Sequence, residues 1–316
     1  MAFHPDSLPN LDGKTFIVTG GNSGIGYHTV AYLAKHGAHV YMGSRSLGKG
    51  NTAIADIKKA QPSARIALLQ MDLMDLTSVV AAAKRFLAVE TALHGLINNA
   101  GIMATPFEIS KDGHEAQWQT NYLSHWVFTE HLLPLMLRTV QSLAPGSVRI
   151  VNITSSGHLG AQKGGINFND LSIKDGGPWG RYAQSKLANI LHTKSLHKEY
   201  GPGSSSAQKG QGEIWISAVH PGIVQSNLSA SAKSGPSMYS VLGLFGLVWP
   251  PDKGSWNSLF CAASQNFKAE QSGTYIDVFK RLGEPWWENS AAKDDKLAQR
   301  LEEWTRQVMC TDGWLP

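Results

Sequence analysis

The stretch KTFIVTGGNSGIGYHTVAYLAKHGAHVYMGS, residues 14–44, decides the fold. Residues 14–20 form a short run rich in β-branched and aromatic side chains, closed by glycine, which reads as a strand. From Gly26 to Gly37 apolar residues recur at helical spacing, at Val30, Leu33 and Ala34, before a glycine stop. Residues 38–44 return to the strand pattern. The rhythm continues outward from there. Residues 50–60, 76–90 and about 112–140 read as helices, and residues 64–72, 93–101, 147–156 and 213–222 as strands. A further helix carries Tyr182 and runs to about Tyr200. Buried strands alternating with helices specify a parallel sheet covered on both faces. The expected fold is α/β: a single doubly wound Rossmann-type domain over residues 1–316, with a mostly parallel seven-stranded sheet and helices on both faces.

Two stretches interrupt the pattern. Residues 156–180 form a Gly-rich loop before the Tyr182 helix, and residues 201–212 read as an exposed, flexible Gly/Ser-rich insertion. Near the C-terminus Leu297, Leu301, Trp304 and Val308 share one helical face, which predicts a docking helix at about 290–310.

Composition bounds the function. With 42% hydrophobic and 16% charged residues the chain belongs among globular proteins. Its net charge of +4 is mild and no Lys/Arg run forms a basic arm, which argues against a nucleic-acid partner. Cys261 and Cys310 make neither a disulfide framework nor a metal-ligand spacing, so no metal is expected and a reducing compartment fits. The N-terminal residues are polar and interrupted by proline, and no apolar run reaches the ~20 residues of a membrane span. The expectation is a cytoplasmic protein without a transmembrane segment; its oligomeric state is left open.

The turn TGGNSGIG, residues 19–26, sits between the first strand and the first helix. Gly20, Gly24 and Gly26 fall where such a turn needs unusual dihedrals and lets the backbone approach a pyrophosphate. The helix N-terminus then offers unpaired N–H groups and partial positive charge. In this context the motif predicts a dinucleotide site. At the end of the second strand, where an NAD site carries an acid for the ribose, this chain has none. Arg45 and Lys49 occupy that region instead, and a guanidinium can hold a 2′-phosphate in its fork, so NADP(H) is the expected cofactor.

Tyr182 and Lys186, in RYAQSKLANI (181–190), are spaced to share one face of a helix. A cation there favours phenolate over phenol and makes the tyrosine a usable proton donor or acceptor.

Together these residues resemble the short-chain dehydrogenase/reductase superfamily over about residues 12–280. The resemblance is carried by TGGNSGIG, NNAG (98–101), Asn121 in TNYLSHW, the serines of RIVNITSS, YAQSK (182–186) and HPG (220–222). The phrases RIVNITSSGH, YAQSKLANIL and AVHPGIVQS look most like the retinol dehydrogenase and WW-domain oxidoreductase branch, including its fungal relatives. Ser46 departs from that branch, standing where an acid often follows the arginine. The resemblance implies a small-molecule carbonyl or alcohol substrate and roles for matching positions. Tyr182 would be the acid/base, Lys186 its modulator and a ribose ligand, Ser155 the substrate-oxygen donor, and Asn121 the holder of a water. Ser156 is the alternative to Ser155. Gly20, Asn22, Ser23, Gly24, Ile25 and Gly26 would carry the pyrophosphate, and Asp72 and Leu73 would flank the adenine. Asn98, Ala100 and Gly101 would line the cleft. Pro221, Gly222, Val224 and Ser226 would meet the nicotinamide, with Ser226 in a place where many members carry threonine.

Residues 231–254 lie where relatives carry a substrate lid, here placed at about 228–250. Met238, Tyr239, Leu242, Leu244, Phe245 and Trp249 make the stretch strongly apolar. As a lid it would favour a lipophilic or aromatic carbonyl. It reads equally as a packed helix pair and, more weakly, as a membrane-contact surface. The alternative function is a non-catalytic NADP(H)-binding regulator, which the intact Asn121, Ser155, Tyr182 and Lys186 set disfavours.

Overall fold

In the computed structural model Phe16, Ile17 and Val18 have almost no exposed surface. A strand apolar on both faces must lie inside a sheet covered on both sides. The structure describes residues 3–224, 248–278, 282–285 and 287–315. The strands are β1 (Thr15–Val18), β2 (His39–Ser44), β3 (Arg65–Gln70), β4 (Gly95–Asn98), β5 (Arg149–Ile153), β6 (Trp215–Val219), β7 (Ile223–Val224), β8 (Val248–Trp249), β9 (Tyr275–Asp277) and β10 (Glu284–Pro285). The main sheet runs β10-β9-β6-β5-β4-β1-β2-β3, and β7 and β8 form a separate parallel pair. All neighbours in the main sheet are parallel except β10, which pairs antiparallel with β9. The α/β doubly wound expectation holds, but among the described residues the sheet has eight strands where seven were expected. The extra edge strand is two residues long and ends in proline, so no alternation announces it.

The longer helices are α1 (Gly24–Lys35), α2 (Leu47–Ala60), α3 (Leu76–Leu87), α4 (Ser124–Val140), α5 (Gly177–Tyr200), α6 (Pro251–Ala263) and α7 (Asp295–Thr311). One core lies between the sheet and α3, α4, α5 and α7; the other is formed with α1, α2 and α6. After β3 the chain returns to β4 on the opposite side of β1, which opens a crevice at the C-terminal ends of β1 and β4.

Three local readings change. The helix expected over about 112–140 is broken by a π turn, Gln119–Leu123, immediately before α4. The Tyr182 helix begins at Gly177, five residues earlier than the tyrosine, so it absorbs the end of the Gly-rich loop. The 201–212 stretch is partly packed: Ser204 caps the short helix Ser205–Gln208, and Ser204 and Ser206 are buried.

Helix α7 buries Ala298, Leu301, Thr305 and Met309. Glu302 on α7 accepts a hydrogen bond from Trp126 Nε1 at 2.9 Å, and Tyr122 Oη meets Thr305 Oγ1 at 2.7 Å. Leu301→Ala is expected to cost about 2–5 kcal/mol in urea unfolding. Cofactor affinity should be unchanged, because no α7 residue lines the cleft. A loss below about 1 kcal/mol would show that α7 contributes little to the core.

Candidate active site

The crevice holds a cavity of about 490 Å³. One end is the glycine turn. Gly20 and Gly24 have φ of +63° and +54°, a region that favours glycine. A Cβ on Gly26 would run into the Gly20 carbonyl and the Asn99 amide, so the close approach of helix and turn requires glycine there. Ser23 precedes α1 without a side-chain cap, which leaves the first helical N–H groups for an anion in the cleft.

The middle of the cleft is built by β5 and α5. Tyr182 and Lys186 are both nearly inaccessible, at 4% and 3%. Lys186 Nζ lies 5.7 Å from the centre of the Tyr182 ring and donates to the Ile153 carbonyl at 3.0 Å. Burial pulls the Lys186 ammonium down to about 8. Thr154 Oγ1 donates to the Lys186 carbonyl at 2.7 Å, tying the end of β5 to α5. That contact commits the Thr154 hydroxyl proton, while Thr154, Ser155 and Ser156 all line the cavity. Ser155 Oγ accepts from Gly157 N–H at 3.0 Å, so its own proton is free to be donated. A Cβ on Gly157 would lie 2.9 Å from Tyr182 Cε1 and 3.3 Å from Ser155 Oγ. The two side chains therefore converge over this glycine. Ser156 instead has its N–H on His220 Nδ1 at 3.3 Å.

The wall beside Tyr182 is held from behind. Arg181 and Glu115 form a buried ion pair at 3.3 Å, and burial raises the Glu115 carboxyl. Arg181 also donates to the Thr105 carbonyl, and Ala104 N–H donates to Gln117 Oε1. These bonds fix the 102–105 segment, so that Met103 and Ala104 pack on Tyr182. Trp179 meets the Tyr182 ring edge-on at 6.2 Å.

Of the residues expected at the site, Gly20, Ser23, Gly24, Ile25, Gly26, Ala100, Gly101, Ser155, Tyr182, Lys186, Pro221, Gly222 and Val224 all line the cavity. Asn22, Arg45, Lys49, Asp72 and Leu73 do not line it. Arg45 and Lys49 are exposed at the end of β2 and the start of α2. Asp72 accepts from Met74 N–H in a local turn, and the Leu73 carbonyl accepts from Ser124. Asn98 is a buried brace that donates to Thr129 and Asn152. Asn121 is fully buried; its amide holds both the N–H and the carbonyl of Ile102 and donates to Ser185. Ser226 and most of the expected lid, residues 225–247, lie outside the described residues.

Sequence reasoning missed Asn99, Gly157 and His220 as cleft residues. Each stood inside a quoted phrase, but its role depends on a contact distant in sequence. Asn99 Nδ2 donates to the Thr19 carbonyl, and Gly157 faces Tyr182.

The residues 14–236 match the short chain dehydrogenase family. The short-chain dehydrogenase/reductase drtF of Aspergillus calidoustus is 52% identical over 308 residues, 96% of each chain. Retinol dehydrogenase 12 of Mus musculus is 35% identical over 296 residues, 92% of this chain and 84% of that one. Among solved structures, an uncharacterized protein from Mycobacterium Paratuberculosis superposes with a TM-score of 0.73 at 29% identity, covering 98% of this chain and 97% of the other. An NAD(P) dependent gluconate 5-dehydrogenase from Beutenbergia cavernae, with bound NADP, gives 0.62 at 25% identity over 85% and 96%. The chain belongs to the short-chain dehydrogenase/reductase family of oxidoreductases. Its relatives include fungal short-chain dehydrogenase/reductases and mammalian retinol dehydrogenases, as the resemblance in the sequence implied. Among the described residues no helix is long and apolar enough to cross a membrane.

Two buried imidazoles give the fold an acid limit. Burial holds His125 and His220 down to about 4, against 6.5 for a free imidazole. Each binds its proton more weakly when folded, so its contribution to stability is fully present above about 6.5 and is lost as the pH falls towards about 4. Urea midpoints across that window should fall steadily; a flat profile would contradict neutral, buried imidazoles.

Proposed function

We propose that the protein interconverts a carbonyl and an alcohol with NADP(H). The observation that carries this reading is the convergence of Tyr182 and Ser155 over Gly157, beside the buried Lys186 ammonium. The cleft fits the cofactor: the glycine turn and uncapped α1 suit a pyrophosphate, and Gly101 leaves open the approach to Asn121 and Lys186. Arg45 and Lys49 would hold the 2′-phosphate, and no acid from 41–50 would repel it. The solved relative with bound NADP supports that preference.

When bound, the nicotinamide supplies the hydride. Ser155 Oγ–H would hydrogen-bond the substrate oxygen and steady its developing negative charge. Tyr182 would pass its phenolic proton to that oxygen, and Lys186 would stabilise the phenolate left behind. In the oxidising direction the same groups return the proton.

The lining residues of the substrate side include Ile102, Met103, Trp179 and Ile223, and no carboxylate is among the described lining residues. That wall favours a lipophilic or aromatic substrate over an acidic or strongly hydrated one. Trp249 packs over Gly222 at the cleft's rim, which carries the same apolar character toward the lid region.

Steady-state assays with NADPH and a panel of aromatic and aliphatic aldehydes and ketones test this reading. Tyr182→Phe should lower turnover by about 10²-fold or more while NADPH still binds. Gly157→Ala should lower kcat about tenfold, since the new methyl displaces the phenol. Arg45→Ala should raise the KM for NADPH about tenfold and leave that for NADH nearly unmoved. Full turnover in Tyr182→Phe would remove the tyrosine from the chemistry.

A further inference from the structure

We propose that His125 is a positioning residue that couples the glycine turn to the π turn carrying Asn121, an inference that rests on the cofactor reading of the cleft. The position of one hydroxyl proton fixes the state of the imidazole. Thr19, the residue before Gly20, is fully buried, and its Oγ1 accepts from both Asn99 N–H and Ala100 N–H at 2.9 Å. Both lone pairs of the hydroxyl are therefore used, and its own proton must go to an acceptor. His125 Nε2 lies 2.9 Å away, whereas the Ile97 carbonyl lies at 3.5 Å. The hydroxyl donates to the imidazole, so Nε2 carries no proton. The neutral ring then carries its proton on Nδ1 and donates it to the Asn121 carbonyl, 3.1 Å away.

The bonds form a closed frame around the NNAGI turn, residues 98–102. Thr19 grips Asn99 and Ala100, Asn121 grips Ile102 at its N–H and its carbonyl, and His125 sets the spacing between the two grips. Gly101 lies between them. A Cβ there would be 3.1 Å from Asn121 Oδ1 and 3.4 Å from Lys186 Nζ. The imidazole thus ties the floor of the pyrophosphate turn to the groups that flank the lysine. Burial keeps the ring neutral against the Asn121 carbonyl, which favours the charged form, and Lys186 and His192 both oppose a second proton. A doubly protonated ring has no acceptor for Thr19, and the frame opens at that end.

Two substitutions separate the two bonds. In His125→Gln the side-chain oxygen reaches the place of Nε2 and keeps the Thr19 contact, but the donor to Asn121 is lost. In His125→Asn the amide N–H takes the place of Nδ1 and keeps the Asn121 contact, but the acceptor for Thr19 is lost. NADPH affinity, by fluorescence titration, and kcat at saturating NADPH are measured for both. The Gln variant should lose more in kcat than in affinity, and the Asn variant more in affinity than in kcat, each by about tenfold in the larger quantity. Equal losses of both quantities in both variants, or no loss, would overturn the proposal and leave His125 as packing alone. The wild-type protein supplies a second readout that needs no variant. Nitrogen-15 spectra of the NADPH-bound enzyme should place the His125 proton on Nδ1; a proton on Nε2 would overturn the proposal. If the wild type binds NADPH without turning over any carbonyl, the proposed reaction fails, while the tautomer and the affinity of the Asn variant still judge His125.

Discussion

Everything in this cleft depends on keeping one ammonium group buried. Lys186 is 3% exposed, and removing a charge from water costs on the order of several kcal/mol. The fold answers part of that cost with the carbonyl of Ile153 at the end of β5, which also accepts from Asn189. The rest of the local architecture serves the same placement. Thr154 fastens the lysine's own carbonyl to the strand end, and the Tyr182 ring lies beneath the ammonium. Burial leaves the lysine at about 8, so near neutral pH it is charged but poised to respond to a phenolate.

That placement needs two elements distant in sequence to arrive at one point. β5 delivers Ser155 at its C-terminal end, and α5 delivers Tyr182 and Lys186 one turn apart. Gly157 makes their meeting sterically possible. The order reversal in the sheet brings the glycine turn after β1 and the NNAG turn after β4 to the same crevice. A nucleotide lying across that crevice would thus reach from the exposed cations after β2 to the tyrosine. Topology supplies the groove, and a few side chains would supply the proposed chemistry.

The parts legible in the sequence were those with local periodicity or local spacing. The strand-turn-helix of residues 14–44 appears as β1, α1 and β2, and Tyr182 and Lys186 share a face because the helix period dictates it. The parts that were not legible depend on tertiary partners. The π turn at 119–123 interrupts an apolar pattern that reads as continuous helix. Asn98 lies under the cleft because Thr129 and Asn152 claim its amide. On α7 the expected apolar stripe is rotated, with Leu301 buried and Leu297, Trp304 and Val308 only partly covered. Polar residues such as Thr305 fill the core there because Tyr122 gives the hydroxyl a partner.

The central claim is that this cleft carries a hydride between a nicotinamide and a carbonyl carbon. The most direct measurement uses NADPH deuterated at the transferable position, with an aromatic aldehyde or ketone that the enzyme consumes. The deuterium is expected on the carbinol carbon of the product, at the rate of cofactor oxidation. Cofactor oxidation that yields an alcohol without deuterium at that carbon, or tight NADPH binding with no transfer to any carbonyl, would contradict it.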